Sequence, residues 1–262
     1  MAAGQIPVLS LVVRSYLFVL MEMRPLMAVV WPWAGVVYVA GWAADISGRV
    51  TMEGEPLHGL WVSLIVNLVA NSAVSVLCHR SIVLGEKPAG LRSLSFARRE
   101  MYYLLALLGL GLAIALVFVL SASLMQIVGL EGGSVGMGVI VVAALALYAR
   151  LCLILPDLAV AEGRLPWHVW RASHGQTARI IVGIGLSGLP LTLVVLQLAM
   201  ASRILHVKGL LGTALFVELL ALAVSFLIMM VSAAFLSFVY KMLMLDSPSP
   251  GPTVLGPEKD SG

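Results

Sequence analysis

The sequence predicts an all-α fold, a polytopic membrane bundle of about six transmembrane helices with short amphipathic helices at the cytoplasmic interface. Composition is the first observation: 61% of the 262 residues are hydrophobic and only 11% are charged, against about 25% charged in soluble domains. The second is that the apolar residues form runs close to the ~20 residues that cross a bilayer. The third is that the positive charges lie mainly in alternate connections between those runs.

The first segment, residues 1–24, is predicted to contain an amphipathic helix over residues 6–23 that lies on the cytoplasmic face. At 100° per residue, its polar side chains fall within one arc of the helix. These side chains are Ser10, Arg14, Ser15 and Glu22. No positive region precedes the apolar run and no small-residue cleavage site follows it, so we do not expect a cleaved signal peptide.

The second segment, residues 25–245, is predicted to hold the transmembrane bundle, with Pro25 in the first turn of its first helix. Each run satisfies its backbone hydrogen bonds internally only as a helix, and the alternation that a membrane β-barrel requires is absent. The six predicted crossings are residues 26–44, 60–78, 101–124, 135–155, 180–202 and 210–240.

The positive residues predict the orientation of the bundle. With the N-terminus inside, 13 of the 16 lysines and arginines fall on the cytoplasmic side and three fall outside, as the positive-inside rule requires. The outside residues are Arg49, Arg203 and Lys208. Six crossings also return the C-terminus to the cytoplasm. The predicted location is therefore a multi-pass integral membrane protein, in a bacterial inner membrane, with both termini cytoplasmic.

Two predicted cytoplasmic connections, residues 80–100 and 157–179, share a design. Each has an acid and a proline and then a basic, partly amphipathic stretch that leads into the next crossing. Pro166, followed by Trp167 and Trp170, predicts a short interfacial helix. The similarity fits either an internal repeat of three helices per half or the general requirements of such loops. Residues 246–262 are rich in Pro, Gly and Ser, and we expect them to be disordered.

A polar ridge marks the second crossing. Ser63, Asn67, Asn71, Ser75 and His79 recur every four residues, which places neighbours on one inclined row of a helix. Asparagines deep in a membrane are unfavourable unless they are hydrogen-bonded. One interpretation is a polar path or binding pocket at the centre of the bundle. The other is packing, with hydrogen bonds to neighbouring helices.

Glu218 is the acidic residue well inside a predicted crossing, and it lies at a similar depth to Asn67 and Asn71. An intramembrane carboxylate is by default a functional hypothesis. The candidate intramembrane polar cluster is therefore Ser63, Asn67, Asn71, Ser75 and Glu218. The alternative is that the last helix begins near Thr213, which would leave Glu218 at the wet interface.

Three further features admit simple structural interpretations. Cys78 and Cys152 are expected to be small packing residues, since two isolated thiols make no metal site. Arg150 is expected either to extend toward lipid phosphates or to form an ion pair within the bundle. Gly183 with Ser187 forms a small-residue pair that permits close helix approach, and glycines and Pro190 could also kink this fifth crossing.

The sequence contains no recognisable catalytic, nucleotide or metal motif, so we expect no cofactor, no metal site and no enzymatic activity. The expected partners are membrane lipids and other membrane proteins, with no nucleic acid. Basic and aromatic residues on the predicted cytoplasmic face are candidate contacts for anionic lipids. These are Arg92, Arg98, Arg99, Arg164, Trp167, Trp170, Arg171 and Arg179.

Two stretches resemble a known group of proteins. "CHRSIVLGEKP" followed by "RREMYYLLAL", and later "RLCLILPDLAVAEGRLPWHVWRASHGQTARI", are similar to patterns of uncharacterised bacterial multi-pass proteins. This group comprises the YciC-like proteins and the membrane domain attached to some glycerophosphodiester phosphodiesterases. The resemblance implies a six-helix inner-membrane bundle of unknown activity. It does not imply phosphodiesterase chemistry, because the chain has no soluble catalytic domain.

The sequence thus favours a non-enzymatic scaffold, accessory or lipid-interacting membrane component. The alternative is a small transporter or permeation module that uses the intramembrane polar cluster. A solvent-connected cavity lined by Asn67 and Asn71 at mid-membrane would favour transport, whereas lipid-facing or tightly interlocked asparagines would favour packing.

Overall fold

The computed structural model describes residues 6–50, 57–87, 97–127, 134–160, 170 and 173–244. Within that part the chain forms helices joined by short turns and contains no strand, which confirms the all-α fold class. The helices are α1 (Val8–Met21), α2 (Met23–Val50), α3 (Leu57–Val83), α4 (Arg98–Ile127), α5 (Ser134–Leu151), α6 (Ile154–Val160), α7 (Thr177–Val207) and α8 (Leu211–Met244).

Six segments of these helices are long and apolar enough to cross a membrane, as predicted. Their outer surfaces are strongly apolar: on α4, for example, Leu112 and Val119 are 72% and 61% exposed. Apolar surface on this scale is unfavourable in water and favourable in lipid. The segments are Met23–Ala43, Trp61–Val83, Arg98–Ser121, Gly138–Val160, Thr177–Val207 and Leu211–Met244. The architecture is therefore compatible with a multi-pass membrane protein.

The bundle has two unlike ends. Successive crossings alternate in direction, so one end, here called the arginine-rich end, collects the start of α4 and the ends of α3 and α8. The other, the opposite end, contains the short turn between α7 and α8. Packing is tight toward the arginine-rich end, where α8 is buried almost continuously from Met230 to Tyr240. Toward the opposite end, Phe216 and Leu220 on the same helix are exposed.

The fourth crossing is broken, although the sequence predicted one run over residues 135–155. Helix α5 ends at Leu151, and α6 begins at Ile154 after a turn in which Leu155 N–H bonds to the Cys152 carbonyl at 3.2 Å. Pro156 explains the break, because a proline has no N–H for the carbonyl four residues earlier and its ring collides with that group. Helix α6 packs on α3, α4 and α8 at the arginine-rich end.

Cysteine packing agrees with the sequence prediction. Cys78 and Cys152 are free thiols, and both side chains are completely buried in the core. They therefore act as small apolar residues at the junction of α3 with the broken crossing.

Helix α1 forms where it was predicted, but it packs against α7 and α8. The guanidinium of Arg14 lies 4.6 Å from the ring centroid of Phe238. Tyr16 donates a 2.8 Å hydrogen bond to the carbonyl of Ser187. The prediction that Ser15 belongs to a solvent-facing polar arc is wrong, since this side chain is fully buried. Burial is tolerated because its hydroxyl donates to the Leu11 carbonyl one turn earlier, at 2.7 Å.

The small residues Gly183 and Ser187 on α7 permit close packing between helices. Gly183 is buried, and a Cβ added there would collide with the ring of Phe235, a fully buried side chain on α8. Helix α7 continues without a break past Pro190. The packing interpretation of Gly183 and Ser187 is therefore supported by the contact between α7 and α8.

Several predicted features lie outside the described residues. They include most of the two amphipathic stretches, at residues 88–96, 161–169 and 171–172, and the tail over residues 246–262.

Replacing Gly183 by alanine tests the contact between α7 and α8. We expect Gly183→Ala to destabilise the protein by about 1–3 kcal/mol, the usual range for forcing an added methyl group into a packed core. The measurement is the midpoint of thermal unfolding in detergent. The matched control is Gly185→Ala on the same helix, where an added Cβ meets nothing within 4 Å. Equal midpoints for the two variants would contradict the close contact.

Candidate functional site

A cavity lies within the bundle between α3, α4, α8 and the broken crossing. It measures about 330 Å³ and is here called the central cavity. Apolar side chains of α8 line one part of it, and amide and hydroxyl groups line another. The polar lining residues are Asn67, Asn71, Ser75, Tyr103, Tyr148, Ser225 and Ser232. The cavity therefore offers hydrogen-bonding groups without a formal charge.

The two asparagines are paired within α3. The spacing of four places them on one row of the helix, and the side-chain N–H of Asn71 donates to the side-chain oxygen of Asn67. Both are half-buried, and among the described residues neither makes a second side-chain hydrogen bond. Their remaining donors and the Asn71 oxygen are therefore available to a molecule in the cavity. The packing interpretation requires hydrogen bonds to a neighbouring helix, and the bond between Asn67 and Asn71 lies within α3 instead.

A chain of hydrogen bonds closes the cavity toward the arginine-rich end. His79 is completely buried; its Nδ1 lies 2.7 Å from the hydroxyl of Ser237, and its Nε2 lies 3.1 Å from the hydroxyl of Tyr103. Ser237 donates to the Ala233 carbonyl at 2.8 Å. The chain thus links the cavity wall to α3, α4 and α8.

One arrangement of protons satisfies every member of this chain. Because Ser237 gives its proton to the Ala233 carbonyl, it must accept one from Nδ1–H of His79. Nε2 is then the acceptor for the Tyr103 hydroxyl, and the imidazole is neutral. A serine that accepts from histidine is not activated as a nucleophile, since activation needs proton transfer in the other direction. The chain therefore fixes three helices together rather than preparing a covalent step.

Further polar contacts lie beyond this chain, at the arginine-rich end itself. Tyr240 on α8 donates a 2.7 Å hydrogen bond to the carboxylate of Asp157 on α6, which is 1% exposed. Arg80 on α3 forms an ion pair with Glu86 and reaches the carbonyl of Ala159 at 3.4 Å. Helix α6 is thus attached to both α3 and α8, and it closes this end of the bundle.

A second cavity lies at the opposite end of the bundle. It measures about 630 Å³, is here called the end cavity, and is lined by Tyr38, Trp42, Ser63, His206 and Glu218 among others. Leu222 on α8 lines both cavities.

The carboxylate of Glu218 is held by α7. Its Oε1 accepts hydrogen bonds from Ser202 and from Nε2 of His206, both at 2.8 Å. The tight turn between α7 and α8 brings these groups together, and Gly209 takes the left-handed conformation there (φ +74°). Bonds from Gly209 N–H to the His206 carbonyl and from Leu210 N–H to the Leu205 carbonyl, each 3.0 Å, make this turn a Schellman motif.

The structure divides the predicted polar cluster between the two cavities. Asn67, Asn71 and Ser75 line the central cavity, whereas Ser63 and Glu218 line the end cavity. Helix α8 begins at Leu211, between the predicted start at residue 210 and the alternative start near Thr213. Glu218 therefore lies about two turns inside its helix, with a side chain that is 41% exposed. Similar depth did not place Glu218 beside the asparagines, because its side chain turns toward α7.

The candidate lipid contacts are only partly described. Arg98 donates to the hydroxyl of Tyr102 at 3.0 Å, and Arg179 donates to Gln176 at 3.3 Å. Arg99 is engaged in a contact of its own. Arg92, Arg164, Trp167 and Arg171 lie outside the described residues.

Arg150 is anchored inside the protein. Its Nε donates to the hydroxyl of Thr177 at 3.2 Å, and its guanidinium lies 5.2 Å from the ring centroid of Trp170. The side chain therefore ties the end of α5 to the start of α7, and Trp170 contacts a protein cation.

Sequence reasoning missed most hydroxyl groups of the site. Ser225 and Ser232 are seven residues apart on α8, so two turns place them on one face, and this spacing could have revealed them. Tyr148 and Tyr103 carried no comparable pattern. In the described part of the chain, no group of three His, Cys, Asp or Glu residues could hold a metal ion.

Comparisons with known proteins gave no match: no family model, no curated protein and no solved structure is similar to the chain. The resemblance to the YciC-like group therefore stays a prediction, and any functional conclusion depends on the geometry of the two cavities.

Removing the Ser237 hydroxyl tests the hydrogen-bond chain. We expect Ser237→Ala to destabilise the protein by about 1–3 kcal/mol, because Nδ1 of His79 would be left buried without a partner. The measurement is thermal or denaturant unfolding in detergent. Ser123→Ala is the matched control: Ser123 makes the same kind of bond, to the Val119 carbonyl at 2.9 Å, but on an exposed surface. A Ser237→Ala variant as stable as the control would contradict this role for the chain.

Proposed function

We propose that this chain is a multi-pass membrane protein that moves a small polar or amphiphilic molecule across the membrane. The observation that carries the proposal is the central cavity, which is lined by Asn67 and Asn71, a hydrogen-bonded pair whose remaining amide groups have no partner among the described residues. Exposing such groups to hydrocarbon would be unfavourable. A molecule that supplies hydrogen bonds would satisfy them, and 330 Å³ is within the usual size range of ligand sites.

The two cavities suggest the order of events. Leu222 lines both, so the two cavities are adjacent at this side chain. Beyond the central cavity, the His79 chain and helix α6 close the arginine-rich end. We infer that a molecule reaches the central cavity from the opposite end in the described conformation. Release at the arginine-rich end requires a second conformation in which the contacts of α6 with α3 and α8 change.

We further propose that the arginine-rich end faces the cytoplasm of a bacterial inner membrane. The distribution of lysines and arginines, 13 against three, supports this orientation through the positive-inside rule. The end cavity then opens outside the cell. Arg98, Arg99 and Arg179 lie at the end that would contact anionic lipid headgroups. The scaffold or accessory role expected from the sequence stays a prediction.

Water access to the central cavity is the property that tests the proposal. In a background with Cys78 and Cys152 replaced by alanine, we expect the thiol of Asn71→Cys in proteoliposomes to react with iodoacetamide at least tenfold faster than that of Leu193→Cys. Leu193 lies on the apolar outer surface of α7 and is 53% exposed. A thiol surrounded by lipid stays protonated and reacts slowly. Iodoacetamide is uncharged, so its rate does not depend on the charge of Glu218.

Equal rates for Asn71→Cys and Leu193→Cys would overturn the transport proposal, because the cavity would then contain no water. Retention of both variants as folded monodisperse protein in detergent is the control for misfolding.

Leu222 should limit passage between the two cavities. We expect Leu222→Ala to raise the iodoacetamide rate at Asn71→Cys severalfold, because the shorter side chain widens the connection, and Leu222→Trp to lower it. Leu220→Ala is the matched control on the same helix, since Leu220 is 43% exposed and lines neither cavity. Rates that respond to Leu220 and Leu222 in the same way would contradict a path through Leu222.

A further inference from the structure

We infer that the end cavity binds an organic ammonium ion, and that the transported molecule belongs to this class. The inference rests on the proposed function for the step from binding to transport. The binding itself is argued from three features of the end cavity: a carboxylate with a free oxygen, an aromatic pair and a suitable volume.

Glu218 provides the negative charge. Both of its hydrogen bonds, from Ser202 and His206, end on Oε1. Among the described residues, Oε2 has no partner, although the side chain lines the cavity. The donors on α7 thus fix the plane of the carboxylate and leave one oxygen for a ligand. A group that carries positive charge and N–H or polarised C–H donors suits this oxygen best.

Tyr38 and Trp42 provide the surface for the rest of the cation. They are four residues apart on α2, which places both rings on one face of that helix, and both line the cavity with Glu218. Aromatic faces attract cations, and tryptophan does so most strongly. An acidic group combined with aromatic rings is the usual chemistry for recognising ammonium groups, including fully alkylated ones that cannot donate hydrogen bonds.

The volume and the apolar lining of the end cavity suit a small organic ligand. At about 630 Å³ the cavity exceeds what a metal ion or ammonia would fill, and Leu211, Leu215 and Leu222 form much of its remaining wall. A cation with a small apolar body would contact these leucines while its charged group reaches Glu218. The rings of Tyr103 and Tyr148 in the central cavity offer the same chemistry further along the path.

Binding of choline tests the inference on the full chain purified in maltoside, a detergent without an ammonium group. The measurement is isothermal titration calorimetry with choline and with 3,3-dimethylbutan-1-ol, which has the same shape but carries a carbon in place of the charged nitrogen. We expect choline to bind at least tenfold more tightly than the neutral alcohol. Equal affinities, or no choline binding, would overturn the inference.

Two variants assign the binding to the end cavity. We expect Glu218→Gln, which keeps a hydrogen-bond acceptor but removes the charge, to weaken choline binding at least tenfold. Trp42→Leu should weaken it roughly twofold to thirtyfold, the range of one cation–π contact. The matched control is Trp31→Leu, because Trp31 is on the same helix, is similarly exposed at 58% and lines neither cavity. If Glu218→Gln fails to fold, Trp42→Leu and the neutral alcohol still decide the outcome.

The ammonium group could come from a free amine or from a lipid headgroup, and a second titration distinguishes them. Tighter binding of dihexanoylphosphatidylcholine than of choline would assign the site to a headgroup, and tighter binding of choline would assign it to a free amine. Both results support ammonium recognition. Failure of choline and the lipid to bind, with rapid labelling at Asn71→Cys, would reject the ammonium inference alone. Choline binding without that labelling would reject the transport proposal alone.

Discussion

A neutral histidine buried among three helices is the constraint on which the arrangement of the bundle depends. Both ring nitrogens of His79 need partners once water is excluded, and Ser237 and Tyr103 supply them from α8 and α4. These bonds fix the relative depth of the three helices. With α6 attached through Asp157 and Tyr240, they make the arginine-rich half compact. The opposite half has no comparable buried hydrogen-bond chain among its described residues, and it contains the end cavity.

Because of this difference, the two ends of the bundle are not equivalent in their accessibility. Close packing excludes water and substrates at one end, while the central and end cavities leave polar groups accessible from the other. Glu218 and the asparagines share this accessibility but differ in chemistry, since one site carries charge and the other offers only amides and hydroxyls. Under the proposed function, a molecule that moves from the end cavity to the central cavity would exchange an ionic contact for hydrogen bonds and aromatic rings.

The sequence predicted features that depend on local patterns and missed those that depend on contacts between helices. The six crossings follow from the lengths of apolar runs, and the ridge of Asn67 and Asn71 follows from their spacing. The partners of Glu218 were missed because depth along a helix does not say which neighbour a side chain faces. Pro156 indicates the break before α6, but the uninterrupted hydrophobic run over residues 135–155 led to the prediction of a single helix. Ser15 and Ser237 are buried because their hydroxyls bond within their own helices, which composition does not reveal.

Hydrogen–deuterium exchange of the protein in lipid nanodiscs tests the central claim most directly. We expect fast exchange of backbone amides in the first half of α8, beside the cavities, and slow exchange from Ser237 to Tyr240, beyond the residues that line the central cavity. Residues at the middle of α7, whose apolar side chains are exposed outside the bundle, should exchange slowly in the nanodisc and provide the reference. Uniform protection along α8 would show that no water reaches the cavities, and it would contradict a bundle that is closed at one end and open at the other.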